Sequence, residues 1–260
     1  MPASGVKRTG PSYAALRLAG AWLTRRLAIT TEGREYYPLD GPVVVAAQHY
    51  HHLYDGALLL RLAPRPLHVL AGLDWVIGRW YAPLLFAACR AAGWPVVLRP
   101  PRRGQSGGPT MGDRRAQNRR GKAHALSLLA AGHDLLVFPE GYPLIDPHGT
   151  PKHAERPHLP AQPGFARLAL AASERLGRPV PVVPVTFRYS DNLRAVTVRY
   201  HPPLTASPGV SPLLLLRPVA TCFQGTSLAA AFEDGTQVAS SPPRPLPHAE
   251  PPRGTSVAAW

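Results

Sequence analysis

Short apolar runs alternate with helix-like segments along the first 206 residues. Near-continuous apolar runs, typical of buried parallel strands, lie at residues 43–47, 67–71, 94–99, 134–138, 180–187 and 196–200. Helical spacing of apolar residues predicts helices at residues 56–62, 114–132 and 164–176, and either one broken helix or two helices at 75–92. This alternation predicts an α/β domain with a mostly parallel central sheet flanked by helices.

The N-terminal region shows a different pattern. Tyr13, Leu16, Leu23 and Leu27 recur at helical spacing and are interspersed with arginines. This pattern predicts an N-terminal amphipathic helix within residues 1–27, which either lies on an anionic membrane or packs on its own domain.

The composition changes again near residue 207. Proline is frequent beyond this point, and nothing joins the brief apolar runs into a domain. Proline-rich segments with little apolar periodicity bury too little surface to fold alone. The sequence therefore predicts three parts: an N-terminal helix (1–27), an α/β domain (28–206) and a poorly structured C-terminal tail (207–260).

The charge limits the possible partners. A formal net charge of +14 favours polyanions such as anionic lipid headgroups, phosphorylated substrates or nucleic acid.

The two cysteines, Cys89 and Cys222, are far apart and indicate neither a disulfide framework nor a cysteine-based zinc site. No uninterrupted apolar run reaches the roughly 20 residues of a membrane-spanning helix, so none is expected.

Candidate chemistry follows the predicted strands. His49, His51 and Asp55 come directly after the run at 43–47, and Arg99 and Glu140 each follow another run. Histidine is the usual proton carrier near neutral pH, and a nearby carboxylate can set its tautomer. Because the carboxyl ends of parallel strands gather at one edge of a sheet, we expect all five side chains at one site.

Three segments of the chain together resemble a known enzyme family. Pro42 to Asp55, Phe138 to Gly141 and Val182 to Val185 are similar to ordered blocks of the glycerophospholipid acyltransferase superfamily, which includes the lysophosphatidic acid acyltransferases. The resemblance covers about residues 30 to 205. It implies transfer of a fatty acyl chain from acyl-CoA or acyl-carrier protein to a hydroxyl of a lysophospholipid or related glycerolipid.

In the resembled family, a histidine acts as general base on the acceptor hydroxyl and an aspartate orients it. Asp55 occupies the position of the aspartate. The family places four residues between the two, whereas five separate His49 from Asp55 and three separate His51 from it. His49 is favoured because it follows Gln48 as the family's histidine follows asparagine, and His51 remains the alternative.

The resemblance also implies substrate-binding residues. Arg99 matches an arginine that contacts the substrate phosphate, and a guanidinium suits phosphate geometry. Glu140 and Gly141 match a substrate-binding Glu-Gly pair. Gly141 permits close approach of the backbone to a ligand, and Glu140 either bonds an acceptor hydroxyl or sets the loop.

The chain departs from the family after Gly141, where Tyr142-Pro143 stand in place of the frequent Thr-Arg. A replacement phosphate contact would have to come from Arg102, Arg103 or Lys152. The mechanism requires no metal or other cofactor. The expected location is the cytoplasmic face of a membrane, as a peripheral protein on an anionic surface.

Two other functions are compatible with parts of the pattern. Imidazole and carboxylate are zinc ligands, so His49, His51 and Asp55 could serve a metal-dependent hydrolase. A basic helix face could instead bind nucleic acid, and its residues are Arg114, Arg115, Arg119, Arg120 and Lys122. The sequence contains no recognisable nucleic-acid-binding module, so no nucleic-acid partner is expected.

Overall fold

A mixed β-sheet forms the centre of the fold. The computed structural model describes residues 11–100, 108–153 and 157–233. The predictions for residues 1–10, Arg102, Arg103 and 236–260 lie outside these residues. The strands are β1 (Ala28–Glu32), β2 (Val44–Ala47), β3 (Leu67–Val69), β4 (Ala71–Gly72), β5 (Val96–Val97), β6 (Asp134–Val137), β7 (Val180–Tyr189), β8 (Ala195–Tyr200) and β9 (Leu204–Ala206).

The central part of the large sheet is parallel. Its order is β1-β8-β7-β2-β6-β3, with β9 also paired to β7. Strands β3, β6, β2 and β7 run parallel, whereas β8 and β9 pair antiparallel with β7. The predicted mostly parallel α/β sheet is therefore confirmed. Because β2, β6 and β7 point the same way, the segments that follow β2 and β6 start at the same edge, where β7 also ends.

Helices cover both faces of this sheet. They are α1 (Pro11–Leu23), α2 (Tyr54–Leu62), α3 (Ala82–Ala91), α4 (Met111–Ala130), α5 (Gly164–Leu176) and α6 (Pro212–Glu233). Successive side chains of a strand point to opposite faces. Val45 accordingly packs with Leu58 and Leu59 of α2, while Val44 packs in a second core with Phe165 of α5. This arrangement explains why every residue of β2 is buried.

The strand predicted at residues 94–99 lies elsewhere than expected. Only Val96 and Val97 form a strand, and β5 pairs with β4 in a separate two-stranded sheet. A third small core, which includes Leu73, Val76 and Leu98, lies beneath it. Helix α4 approaches β5 closely at Gly121, where an added Cβ would lie 2.2 Å from the Val96 carbonyl oxygen.

Both ends of the described chain pack on the domain. Helix α1 lies against α2, and the Tyr13 hydroxyl donates a hydrogen bond of 2.8 Å to the Arg65 carbonyl. Leu215, Val219 and Phe223 of α6 are buried in the second core, four residues apart. The sequence did not indicate this packing, because prolines obscure the helical period of the predicted tail.

Among the helices that the structure describes, none combines the length and the apolar character needed to cross a membrane.

Candidate active site

The loop after β2 closes around the carboxylate of Asp55. Asp55 lies in the first turn of α2 and is fully buried. Its Oδ2 accepts hydrogen bonds from the backbone N–H groups of Tyr50 (2.6 Å) and His51 (2.8 Å). Its Oδ1 accepts a 2.7 Å bond from the Tyr189 hydroxyl. Burial and the Asp55 carboxylate raise the pKa of Tyr189 far above its ordinary value, so the hydroxyl remains a donor.

His49 directs one ring nitrogen at this carboxylate. Its Nδ1 lies 3.1 Å from Asp55 Oδ2, and its ring stacks on Phe138 with centroids 4.1 Å apart. An ionised carboxylate can only accept, so Nδ1 carries the hydrogen and Nε2 of the neutral ring keeps a lone pair. The extra residue between His49 and Asp55 is accommodated by the turn at Tyr50 and His51, whose N–H groups both bond Asp55.

His51 makes different contacts. Its buried Nδ1 accepts hydrogen bonds from the backbone N–H groups of Leu53 and Tyr54, both at 3.2 Å, where α2 begins. Burial, and then the neighbouring His52, lower the pKa of His51, which favours the neutral ring that these bonds require. The imidazole thus satisfies backbone donors that the start of a helix leaves unpaired.

Glu140 and Lys152 enclose the peptide of His49. Glu140 Oε2 accepts a 3.0 Å hydrogen bond from the His49 N–H, and Lys152 Nζ donates a 2.7 Å bond to the His49 carbonyl. The two side chains are fully buried and form an ion pair of 2.9 Å. Glu140 Oε1 accepts a further bond from the Leu159 N–H at 3.0 Å. The Glu140 carboxylate is therefore occupied by groups of the protein itself.

The titration of this pair reflects its partners. Burial alone would raise the pKa of Glu140, but the neighbouring His158 and the charge of Lys152 outweigh it and hold the pKa below its ordinary value. Burial lowers the pKa of Lys152, and the attraction of Glu140 opposes that shift. The neighbours of Glu140 thus outweigh its desolvation, whereas the attraction of Glu140 offsets the desolvation of Lys152 only in part.

Arg99 is fixed by three neighbours. Its Nε donates a 2.7 Å hydrogen bond to Asp74 Oδ1, and its Nη1 donates to the Gly141 carbonyl. The guanidinium carbon lies 3.9 Å from the centre of the Tyr142 ring. Gly141 has a φ of +74°, which favours glycine. Tyr142, which stands where the resembled family often has threonine, therefore supports Arg99 by a cation–π contact.

A cavity of about 170 Å³ joins these groups. Its wall includes His49, Arg99 and Gly141, together with Trp75 and His148. The rings of Trp75 and His148 stack with centroids 4.7 Å apart. The imidazole of His49, which contacts Asp55, and the guanidinium of Arg99 therefore line the same cavity.

The structure brings most of the predicted residues together. His49, Asp55, Arg99 and Gly141 contact one another directly or share the cavity, and Glu140 contacts the His49 backbone. Lys152, considered above as a replacement phosphate contact, is instead buried between Glu140 and the His49 carbonyl.

Sequence reasoning missed Tyr189. The predicted strand ended at residue 187, two residues short of the end of β7, where Tyr189 reaches the same edge as Asp55. An extension of the apolar and aromatic pattern through Arg188 to Tyr189 was the available signal.

The three residues considered as metal ligands make other contacts. His51 Nδ1 is used by backbone donors, and Asp55 accepts four hydrogen bonds, counting that from His49. Within the described ranges, no group of three histidine, cysteine, aspartate or glutamate side chains is arranged to hold a metal ion.

A family model and a solved structure are similar to the chain. A family model described as acyltransferase matches residues 28–188. The crystal structure of the 1-acyl-sn-glycerophosphate (LPA) acyltransferase PlsC from Thermotoga maritima is similar at a TM-score of 0.57 and 18% sequence identity, over 84% of this chain and 80% of that chain. At this identity the similarity shows a shared fold. None of the curated protein sequences matches the chain.

Proposed function

The chain belongs to the acyltransferase family, and from that premise we propose that it transfers a fatty acyl chain from an acyl thioester to a hydroxyl of a lysophospholipid or related glycerolipid. The observation that carries the proposal is the 3.1 Å contact between His49 Nδ1 and the buried Asp55, in a cavity that also contains Arg99. The structurally similar PlsC is named as an acyltransferase for a glycerophosphate, which supports this substrate class.

The proposed reaction uses His49 twice. Nε2 accepts the proton of the acceptor hydroxyl while the hydroxyl oxygen attacks the thioester carbonyl carbon. The tetrahedral intermediate then expels the thiolate, which takes the proton back from Nε2. The products are the ester and a free thiol. Asp55 holds the ring by Nδ1 and stabilises the imidazolium formed between the two steps.

Arg99 is the proposed contact for the acceptor's phosphate. Its position beside His49 on the cavity wall would place a phosphate and a nearby glycerol hydroxyl within one binding mode. Tyr142 and Asp74 restrict the guanidinium to one orientation. Glu140 is assigned to the backbone of His49, since its oxygens bond protein groups.

We propose that the donor is acyl-CoA or acyl-carrier protein and that the chemistry needs no metal or cofactor. The enzyme would act as a peripheral protein at the cytoplasmic face of an anionic membrane. The net charge of +14 supports an anionic surface as partner.

The test measures two products. Purified protein is incubated with lysophosphatidate and either acyl-CoA or acyl-carrier protein, and both thiol release and diacyl product are quantified. Asp55→Asn should lower the rate of both by at least about 100-fold, because the imidazole loses its orienting charge. Asp191→Asn, which changes an exposed aspartate, should retain the rate. Equal rates for wild type and Asp55→Asn would refute the mechanism.

A further inference from the structure

The outer face of α3 is apolar and exposed. Trp80, just before this helix, is 89% exposed, and Leu84 is 68% exposed. Three small apolar residues along the same helix are exposed as well, and they are Ala87, Ala88 and Ala91. Large apolar side chains grouped on one surface mark an interaction site more often than scattered ones do.

A groove of about 500 Å³ runs beside this face, between α3, β5 and α4. Phe86, Trp94 and Val96 contribute apolar walls, while Arg90 and Arg120 contribute guanidinium groups. None of the groove-lining residues in the described part of the chain is acidic. Apolar walls combined with cationic groups are complementary to an amphipathic anion.

The charge on α4 extends this surface. Three further cations of α4 are exposed, and they are Arg115, Arg119 and Lys122. The acid of α4, Asp113, lies in its first turn and is held by the capping hydrogen bonds of Thr110. A basic helix beside an apolar helix face is the combination that anionic bilayers attract, through electrostatics and burial together.

Strand β5 connects this surface to the candidate active site. Val96 lines the groove and Val97 lines the cavity that contains His49 and Arg99. Consecutive strand residues point to opposite faces. The groove and the cavity are therefore back to back across one short strand.

We propose that the surface formed by α3, its preceding Trp80 and α4 docks on an anionic phospholipid bilayer. Trp80 and Leu84 enter the boundary between headgroups and acyl chains, and Arg90 and Arg120 bind phospholipid phosphates in the groove. The purpose of this docking, which is to bring a lipid acceptor to the cavity, rests on the proposed function. The docking itself is a property of this surface alone.

The experiment compares three double variants in vesicle sedimentation. Vesicles contain phosphatidylcholine alone or phosphatidylcholine with phosphatidylglycerol. Arg90→Gln/Arg120→Gln should weaken binding to the anionic vesicles by roughly 30-fold. Trp80→Ser/Leu84→Ser should weaken it by about tenfold or more. A charge-matched control, Arg175→Gln/Arg194→Gln, changes two exposed arginines elsewhere and should bind within about threefold of wild type.

A fourth variant tests the competing surface. Leu18→Ser/Trp22→Ser changes the exposed apolar residues of α1 and should retain binding. The proposal is overturned if the α3–α4 variants bind like wild type, or if only the α1 variant loses binding. It is also overturned if wild-type protein binds both vesicle types equally.

A separate assay distinguishes this proposal from the proposed function. With a water-soluble short-chain acceptor, the α3–α4 variants should transfer acyl groups at the wild-type rate, because the docking residues lie outside the cavity. Loss of transfer in these variants would overturn the separation of docking from catalysis. Absence of transfer by the wild type would refute the proposed function, while the vesicle result would still decide the docking surface.

Discussion

Two buried carboxylates, one at each end of strand β6, have similar partners. Asp134 begins the strand and pairs with Arg65 at 2.7 Å, and Glu140 follows its end and pairs with Lys152 at 2.9 Å. Each also accepts backbone N–H bonds, including 2.9 Å from Val43 to Asp134. Their titration differs, because burial raises the pKa of Asp134 to about 6 while its partners hold that of Glu140 below normal.

The difference lies in what each network holds. Asp134 binds Tyr37, Arg65 and the start of β2, all at the amino ends of the strands. Glu140 and Lys152 hold the peptide of His49 at the carboxyl ends. A buried carboxylate paired with a cation therefore stabilises the fold at one edge and holds His49 at the other. This agrees with the tendency of functional sites to lie at the carboxyl ends of parallel strands.

Among substitutions in these two carboxylate networks, Lys152→Met should show the largest effect. It leaves Glu140 buried without its cation, so the free energy of unfolding should fall by about 3 kcal/mol. The loosened His49 peptide should lower kcat of the folded enzyme by about 100-fold. Steady-state kinetics corrected for the folded fraction measure this, with exposed Lys122→Met as control. An unchanged kcat would show that the pair has no role in positioning His49.

Asp134→Asn tests the other edge. The amide nitrogen of asparagine cannot accept the hydrogen bond from the buried Tyr37 hydroxyl, so the free energy of unfolding should fall by about 1 kcal/mol near neutral pH. The kcat of the folded enzyme should stay within about threefold of wild type, because the network is at the far end of β6. A loss of kcat similar to that of Lys152→Met would remove the contrast between the two edges.

The two carboxylates should respond oppositely to pH. The folded pKa of Asp134, about 6, exceeds its ordinary value of 3.8, so the folded state binds more protons between these values. The stability contributed by Asp134 is fully present below pH 3.8 and is lost as pH rises through 6. That of Glu140 is present above its ordinary pKa of 4.5 and is lost as pH falls through its lowered folded pKa.

Urea unfolding near pH 7 and near pH 5 measures the first of these effects. As the pH falls from 7 to 5, the free energy of unfolding of wild type should increase by about 1 kcal/mol relative to that of Asp134→Asn. Glu140→Gln, followed below its ordinary pKa, should converge on wild type as the pH falls. If the stability difference from wild type changed in the same direction with falling pH for both variants, the opposite pKa shifts of Asp134 and Glu140 would be contradicted.

His51 lies at the same edge of the sheet as His49 but stabilises the start of α2. The pKa of His51 is lower in the folded chain than its ordinary 6.5, so its contribution is present above 6.5 and is lost as pH falls below it. His51→Asn, which can still accept from the N–H groups of Leu53 and Tyr54, should cost about 1 kcal/mol or less near neutral pH and should abolish this pH dependence. Thermal unfolding across the acidic range gives the result.

The sequence predicted the site through strand ends. His49, Asp55 and Glu140 each follow a buried apolar run, and parallel pairing brings such ends together. The prediction of β2, β6 and β7 in one sheet succeeded because continuous burial is visible as continuous apolar sequence. Arg99 reached the site although β5 lies in a separate sheet, since its side chain extends to Gly141.

Partners far apart in sequence could not be predicted. Periodicity can place a residue near a strand end or in a loop, but it does not show which carboxylate Tyr189 or Lys152 binds. Tyr189 lies 134 residues from Asp55, and Lys152 lies 103 residues from His49. Likewise, α6 covers the sheet through Leu215 and Phe223 in a segment whose prolines disguised its helical period.

The most direct test of the central claim compares His49→Ala with His51→Ala in kcat/KM for lysophosphatidate and acyl-CoA, per folded molecule. His49→Ala should lower kcat/KM by about 1,000-fold, because it removes the proposed general base. His51→Ala should remain within about tenfold of wild type, because His51 contacts the start of α2. Retained activity in His49→Ala with loss in His51→Ala would contradict the assignment of the base.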